Sequence, residues 1–233
     1  MIEKDKKKNI IISADDFGKC KLANKNILEL AEAGKLDRVS IMPNGKFSDD
    51  ELKRLLTTNV KLDVHLDTEE QLENKEQIQE GFIKRSVVFW SNYLFGIFRK
   101  AEIEKKWDHQ IKHFIKITGK NPDGLNTHRY DHFFPSYFPK ILKLAKKYKV
   151  SMIRFGQIIP AGKNKLTSSI LGYFHKRNEK SFRESGLSTF DYCVSLDWIK
   201  SMERFFENPA KGEIELVCHP EREAELFLLN KYF

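Results

Sequence analysis

The chain is poor in the features that mark secreted, membrane and nucleotide-binding proteins. Its 233 residues include only three cysteines, which lie far apart, so neither a disulfide framework nor a Cys-x-x-Cys zinc site is expected. No stretch of about 18 residues lacks a charged side chain, which excludes a predicted transmembrane helix. Gly-x-Gly-x-x-Gly and Gly-x-x-x-x-Gly-Lys sequences are absent, which argues against a nucleotide cofactor. The Lys-rich start lacks a signal-peptide pattern, so a cytoplasmic protein is expected.

Basic side chains outnumber acidic ones by 41 to 33, which gives a formal net charge of +8. Such an excess suggests an anionic partner, and nucleic acid is the first to consider. The basic residues are spread in pairs such as Lys105-Lys106 and Lys146-Lys147, as on solvated helix faces. No zinc-finger, RNP-like or Gly-x-x-Gly element accompanies them, so nucleic acid is not expected as a partner.

Short apolar runs alternate with helical patterns, which is typical of β/α units around a parallel sheet or barrel. The predicted strands are Asn9–Ala14, Arg38–Met42, Lys61–Leu66, Gly124–Thr127, Ser151–Phe155 and Ile214–Cys218. The predicted helices are Leu22–Ala33, Asp49–Thr57, Ala101–Thr118, Ser136–Tyr148 and Leu196–Phe206. No second domain is visible, so residues 1–233 are expected to form one β/α-barrel domain with a basic, flexible N-terminus at residues 1–8.

Two segments stand apart from this pattern. Residues 157–191 are polar and contain several glycines, which indicates long loops over one end of the fold that contact substrate. Residues 86–98 are strongly aromatic but too short to span a bilayer. A packed core or lid helix is the favoured interpretation of residues 86–98, and a homodimer contact or a contact with a membrane surface are the alternatives.

Four of the predicted strands lead into aspartate or histidine. These residues are Asp15 and Asp16 after the first strand, His65 in the third, His128 and His132 after the fourth, and His219 after the last. Each residue alone has an ordinary structural explanation, as a helix cap or a buried histidine. Together they predict a metal-dependent site, because the carboxyl ends of parallel strands meet at one edge and because zinc takes aspartate and histidine as ligands.

Five motifs follow one another along nearly the whole chain. They are Ser13-Ala14-Asp15-Asp16-Phe17-Gly18, Val64-His65-Leu66, Pro122-Asp123-Gly124 with His128 and His132 before Phe134-Pro135, Ile153-Arg154, and Cys218-His219-Pro220. In this order they resemble the YdjC-like carbohydrate deacetylases, sugar N-deacetylases with a distorted parallel (β/α) barrel. The family commonly has histidines at alternate positions of the third motif, where this chain has Tyr130. In the second motif the family commonly has glycine before Leu-His, whereas in this chain Asp63-Val64 stands there.

The resemblance implies that one divalent metal ion is bound by Asp16, His65 and His128. Tyr130 leaves open whether His128 or His132 is the third ligand, and His132 therefore stays a candidate for a metal or substrate contact. Zinc is the first choice for this donor set, although magnesium, nickel or cobalt also accept one carboxylate and two imidazoles.

The resemblance also implies that Asp15 is the general base and that His219 serves the leaving amine, while Arg154 is a candidate for a metal or substrate contact. The expected function is metal-dependent removal of an N-acetyl group from an amino sugar or a short N-acetylated oligosaccharide. Two alternatives remain open: another metal-dependent hydrolase such as a phosphoesterase, because the net charge suits an anionic substrate, and an inactive glycan-binding barrel.

Overall fold

The computed structural model describes residues 9–68, 100–207 and 210–233. Residues 1–8, predicted to be flexible, and residues 86–98, with their predicted core, lid, dimer or membrane contact, lie outside these described ranges. Within the described ranges, no helix is both long enough and apolar enough to cross a membrane.

Among the residues that the structure describes, seven parallel strands curl into a half-barrel. They are β1 (Ile10–Phe17), β2 (Arg38–Ile41), β3 (Lys61–Leu66), β4 (Gly124–Thr127), β5 (Gln157–Ile158), β6 (Tyr192–Ser195) and β7 (Ile214–Cys218). Their order in the sheet is β4-β3-β2-β1-β7-β6-β5, so β1 is central and pairs with β2 and β7. This architecture confirms the predicted α/β class and the distorted parallel barrel.

Helices surround the sheet. Those that the structure describes are α1 (Lys21–Glu32), α2 (Asp49–Leu56), α3 (Lys100–Thr118), α4 (Phe138–Tyr148), α5 (Lys165–Ser185), α6 (Met202–Glu207) and α7 (Glu223–Tyr232), with 3₁₀ helices at His128–Phe133 and Leu196–Trp198. Helix α2 begins with a capping box, in which Ser48 and Glu51 each accept a hydrogen bond from the other's backbone N–H. The helices contribute large buried side chains such as Trp107 and Phe138 to one continuous apolar core.

The two faces of the sheet differ in chemistry because successive side chains along a strand point to opposite sides. In β1, Ile10, Ile12 and Ala14 belong to the apolar core against the helices. The alternate positions of the paired strands line the inside of the half-barrel and are mostly polar and buried: Ser13, Asp15, Arg38, Ser40, Asp63, His65, Asn126, Ser195 and Glu215. Buried charges on this face are paired, as between Arg38 and Asp63.

The predicted strand Ser151–Phe155 is wrong. Only isolated bridges form there, from Ile153 to Leu125 and from Met152 to Ser188, and the continuous strand β5 begins at Gln157. Gly156 separates the two parts and lies so close to Tyr192 that a Cβ would come within 2.7 Å of its backbone. The bridge from Ile153 to Leu125 joins this segment to β4, and the segment then leads into β5.

The prediction of long loops over residues 157–191 is also wrong, because α5 occupies residues 165–185. Its buried side chains recur at helical spacing, at Ser168, Leu171, Phe174 and Asn178, and two of these four are polar, which hid the periodicity. Gly186 ends the helix in the left-handed conformation with φ of 71°.

The predicted helix Leu196–Phe206 is divided into the 3₁₀ turn Leu196–Trp198 and the short helix α6. The sequence prediction also missed β6 and α7. Strand β6 is only four residues long and begins directly after the segment assigned to loops.

Candidate metal centre

Asp16, His65 and His128 meet at the carboxyl edge of the sheet. The Asp16 Oδ1 atom lies 3.2 Å from His65 Nε2 and 3.0 Å from His128 Nδ1. The two ring nitrogens are 3.3 Å apart. Asp16 and His65 are buried and His128 is half-buried, and the three residues form a group that could hold a metal ion.

The donor chemistry of this group fits a divalent cation. Asp16 Oδ1 is buried and has no hydrogen-bond partner with acceptable geometry among the described residues, although two ring nitrogens lie beside it. A buried carboxylate oxygen without such a partner is costly, because it has lost its hydration and gained no replacement. One cation placed among the oxygen and the two nitrogens would satisfy all three atoms.

An irregularity in β1 explains how two adjacent aspartates reach one pocket. In a regular strand Asp15 and Asp16 would point to opposite faces, but the pairing of β1 with β2 shifts between Ala14 and Phe17. Asp16 has a φ of 74°, in the left-handed region that few residues other than glycine adopt. As a result Asp15 Oδ2 lies 3.9 Å from His65 Nε2, the same nitrogen that Asp16 approaches.

A pair of hydrogen bonds orients the His65 ring. The Asn126 side chain donates to Ser40 Oγ at 2.8 Å through Nδ2, so its Oδ1 is the acceptor for His65 Nδ1. His65 therefore carries its proton on Nδ1 and presents the lone pair of Nε2 to the cluster, as ligating histidines commonly do. Sequence analysis missed Asn126, which precedes His128 by two residues and pairs with His65 in the register of β3 and β4.

His132 does not join the cluster. Its Nε2 donates to the Arg154 carbonyl at 2.6 Å, and its Nδ1 lies 2.7 Å from Thr127 Oγ1. Burial lowers the pKa of His132 to about 3, so the ring is neutral. Between the two histidines, Arg129 and Tyr130 have φ of 64° and 60°. Because of this left-handed turn, the rings of His128 and His132 point in different directions.

Arg154 contacts Asp15 rather than the metal-binding group. Its two terminal nitrogens donate to the two Asp15 oxygens at 2.6 and 2.8 Å, and its Nε donates to Glu215 Oε1 at 3.0 Å. Although burial opposes ionisation, Arg154 holds the pKa of Asp15 well below its ordinary value. Sequence analysis missed Glu215, because it lies between the apolar residues Ile214 and Leu216 near the start of β7.

His219 follows β7 and faces Glu225 of α7. The backbone N–H of His219 donates to Glu225 Oε2 at 2.8 Å, and its ring Nδ1 lies 3.5 Å from the same oxygen. Burial opposes the charged ring, but Glu225 and Asp16 together raise the pKa of His219 above its ordinary value. His219 is thus within electrostatic reach of the Asp16 carboxylate.

A lysine that sequence analysis did not consider also reaches Asp16. Lys19 Nζ lies 2.6 Å from Asp16 Oδ2 and 2.9 Å from Glu221 Oε1. The short segment after β1 leads through Gly18, where a Cβ would lie 2.9 Å from the Met42 carbonyl oxygen. The spacing of three residues between Asp16 and Lys19 was the available signal, but such spacing alone is common.

Comparison with known proteins identifies the family. The sequence profile described as YdjC-like protein matches residues 9–229. The chain belongs to the YdjC-like family. This confirms the resemblance drawn from the motifs.

Curated relatives of this YdjC-like protein are distant in sequence. The carbohydrate deacetylase of Xenopus laevis is 22% identical over 82% of this chain and 67% of its own length. That of Halalkalibacterium halodurans is 25% identical over 91% of this chain and 84% of its own length. The chitooligosaccharide deacetylase of Citrobacter koseri is 25% identical over 61% of this chain and 58% of its own length. The chain spans about half the length of some vertebrate relatives, 44% in Danio rerio and 49% in Mus musculus.

A solved structure shares the fold. It belongs to an Enterococcus faecalis V583 protein named for cellobiose-phosphate cleavage, and it superposes with a TM-score of 0.57 at 17% identity. The match covers 90% of this chain and 79% of the other. At 17% identity this likeness establishes only the fold of the YdjC-like chain. The chemistry has to be inferred from the side chains of the candidate site.

Proposed function

We propose that this YdjC-like protein is a metal-dependent hydrolase that removes the N-acetyl group from an amino sugar or a short N-acetylated oligosaccharide. The observation that carries the proposal is the convergence of Asp16 Oδ1 with His65 Nε2 and His128 Nδ1, beside the Arg154-bound carboxylate of Asp15. The deacetylase names of its curated relatives support the substrate class.

Asp16, His65 and His128 are the proposed ligands of one divalent metal ion, and His132 is assigned a structural role. Zinc is the first choice for one carboxylate and two imidazoles, with magnesium, nickel and cobalt as alternatives. Such an ion, when bound, supplies a Lewis acid for the amide carbonyl and makes a nearby water more acidic. The Asp16 Oδ1 atom, which lacks a hydrogen-bond partner of acceptable geometry among the described residues, supports this assignment.

Asp15 is the proposed general base. Arg154 fixes both carboxylate oxygens and keeps Asp15 in the ionised form, which is the form that can accept a proton from the attacking water, although the same pairing weakens Asp15 as a base. Glu215 binds Arg154 from the other side and keeps the guanidinium in position. In this arrangement Arg154 is a positioning residue that contacts the proposed base and not the proposed metal ligands.

His219 is the proposed general acid. An amine is a poor leaving group unless its nitrogen is protonated as the C–N bond breaks. Glu225 and Asp16 favour the charged imidazolium, which can donate that proton. The acid and the base thus come from two adjacent strands, since β7 pairs with β1.

Acetate release tests this proposal directly. The purified chain is incubated with N-acetylglucosamine oligomers, and acetate and free amine are measured with each divalent metal and with a chelator. We expect equal amounts of acetate and amine, loss of both on chelation, and recovery when metal is restored. Phosphate release from a sugar phosphate, with no acetate release from any N-acetylated sugar, would favour the phosphoesterase alternative.

The two histidines of the third motif are expected to respond differently to replacement. His128→Ala should lose bound metal, because it removes a nitrogen that lies beside Asp16 Oδ1. His132→Ala should keep metal but lower the free energy of unfolding by about 2–4 kcal/mol, since it leaves a cavity and unpaired buried polar groups. Elemental analysis and urea unfolding check both variants. If His132→Ala lost its metal while His128→Ala kept it, the ligand assignment would be reversed.

A further inference from the structure

Lys19 links the candidate metal centre to a second acidic residue. Its Nζ donates to Asp16 Oδ2 at 2.6 Å and to Glu221 Oε1 at 2.9 Å. The side chains of Lys19, Glu221 and Asp16 are exposed by only 16%, 10% and 0%, so these contacts are largely shielded from solvent. Lys19 precedes α1 and Glu221 precedes α7, and the contact therefore ties together the segments that follow β1 and β7.

The two oxygens of Asp16 have different surroundings. Oδ2 accepts a charge-assisted hydrogen bond from Lys19, whereas Oδ1 lies beside the two histidine nitrogens. An oxygen that holds an ammonium group has less electron density to offer a second cation. Lys19 therefore competes for the Asp16 carboxylate and occupies the oxygen that a two-oxygen metal contact would need.

We propose that Lys19 is a positioning residue that restricts Asp16 to a one-oxygen metal contact and sets the strength of metal binding, and that Glu221 in turn holds Lys19. The inference rests on the proposed function, in which Asp16, His65 and His128 are the ligands. It adds two residues, Lys19 and Glu221, that lie outside the motifs from which the site was predicted.

Replacing the two residues should change metal affinity in opposite directions. Lys19→Met removes the competing ammonium and leaves a buried anionic oxygen without its donor, so metal should bind on the order of tenfold more tightly. Glu221→Gln keeps the contact between Lys19 and Asp16 but removes the negative charge of Glu221, which partly neutralises the Lys19 ammonium group. Metal should then bind several-fold more weakly. Tighter binding would also follow from the lost charge repulsion alone, so the coordination by Asp16 is judged from the spectrum of the bound ion.

The experiment is a Co²⁺ titration of the full chain, followed by the visible absorption of the bound ion. Lys21→Met is the matched control, because it removes the same charge from an exposed position two residues away, and it should leave affinity and spectrum unchanged. In Lys19→Met the absorption per bound ion should fall, since a second Asp16 oxygen raises the coordination number and d–d bands weaken as coordination approaches octahedral. Circular dichroism confirms that each variant is folded.

The outcomes separate the two proposals. Absence of Co²⁺ and Zn²⁺ binding to the unaltered chain would overturn the metal site of the proposed function, and this inference with it. If the unaltered chain binds metal, then equal or weaker affinity in Lys19→Met, or unchanged absorption per bound ion, would overturn this inference alone. If Lys19→Met does not fold, Glu221→Gln decides: weaker Co²⁺ binding supports the role of Lys19, and equal or tighter binding overturns it.

Discussion

Asp16→Asn is expected to lose bound metal and catalytic turnover together. The neutral amide is a poorer ligand than the carboxylate, and the loss of the Lewis acid should lower kcat by about 10³-fold or more. Asparagine is the suitable replacement because it tolerates the left-handed backbone of Asp16, with its φ of 74°, better than most residues. Metal content by elemental analysis and acetate release from N-acetylglucosamine oligomers give the two readouts.

The control for this variant is Asp50→Asn, which removes the same charge from an exposed position in the first turn of α2. It should retain both metal and turnover. An Asp16→Asn protein that is folded and still holds one metal ion per chain would contradict the assignment of Asp16 as a ligand.

Asp15→Asn is expected to separate the two measurements. The variant should retain metal, because Asp15 is assigned to the water and not to the metal ion. Its kcat should fall by about 10² to 10⁴, the usual cost of removing a general base. The asparagine oxygen can still accept a hydrogen bond from Arg154, which limits the disturbance of the pocket. Metal content, kcat and KM on the same preparation distinguish a missing base from a weakened site.

The result that would count against this mechanism is an Asp15→Asn variant with bound metal and unchanged kcat. Another group would then accept the proton from water, whereas the membership of this chain in the YdjC-like family would be unaffected. Loss of metal in Asp15→Asn would instead place Asp15 among the ligands.

The sequence was sufficient to predict which strand ends meet at the candidate metal centre. Predicted strands that end beside Asp15, His65 and His219 give a local pattern, and parallel pairing brings such ends together. The supporting contacts could not be predicted in the same way. Arg154 and Asp15 are separated by 139 positions, and Lys19 and Glu221 by 202, so their pairing depends on the closure of the whole sheet.

The choice between His128 and His132 shows a different limit. Both histidines follow β4 at spacings that allow an inward side chain, and spacing alone leaves them equivalent. The left-handed backbone at Arg129 and Tyr130 decides which ring turns to Asp16. Neither residue is glycine, so the sequence carries no ordinary marker for this turn.

The contrast between the two faces of the sheet has a consequence for how this protein can change. The helix-facing side carries the apolar packing, whereas the inner side carries paired charges such as Arg38 with Asp63 and Arg154 with Glu215. Substitutions among the apolar residues should chiefly alter stability, whereas removing one member of an inner-side pair should lower stability and change the electric field at Asp15 together. Stability and the field at the proposed base are therefore coupled on the inner side, where both members of a pair should be replaced together.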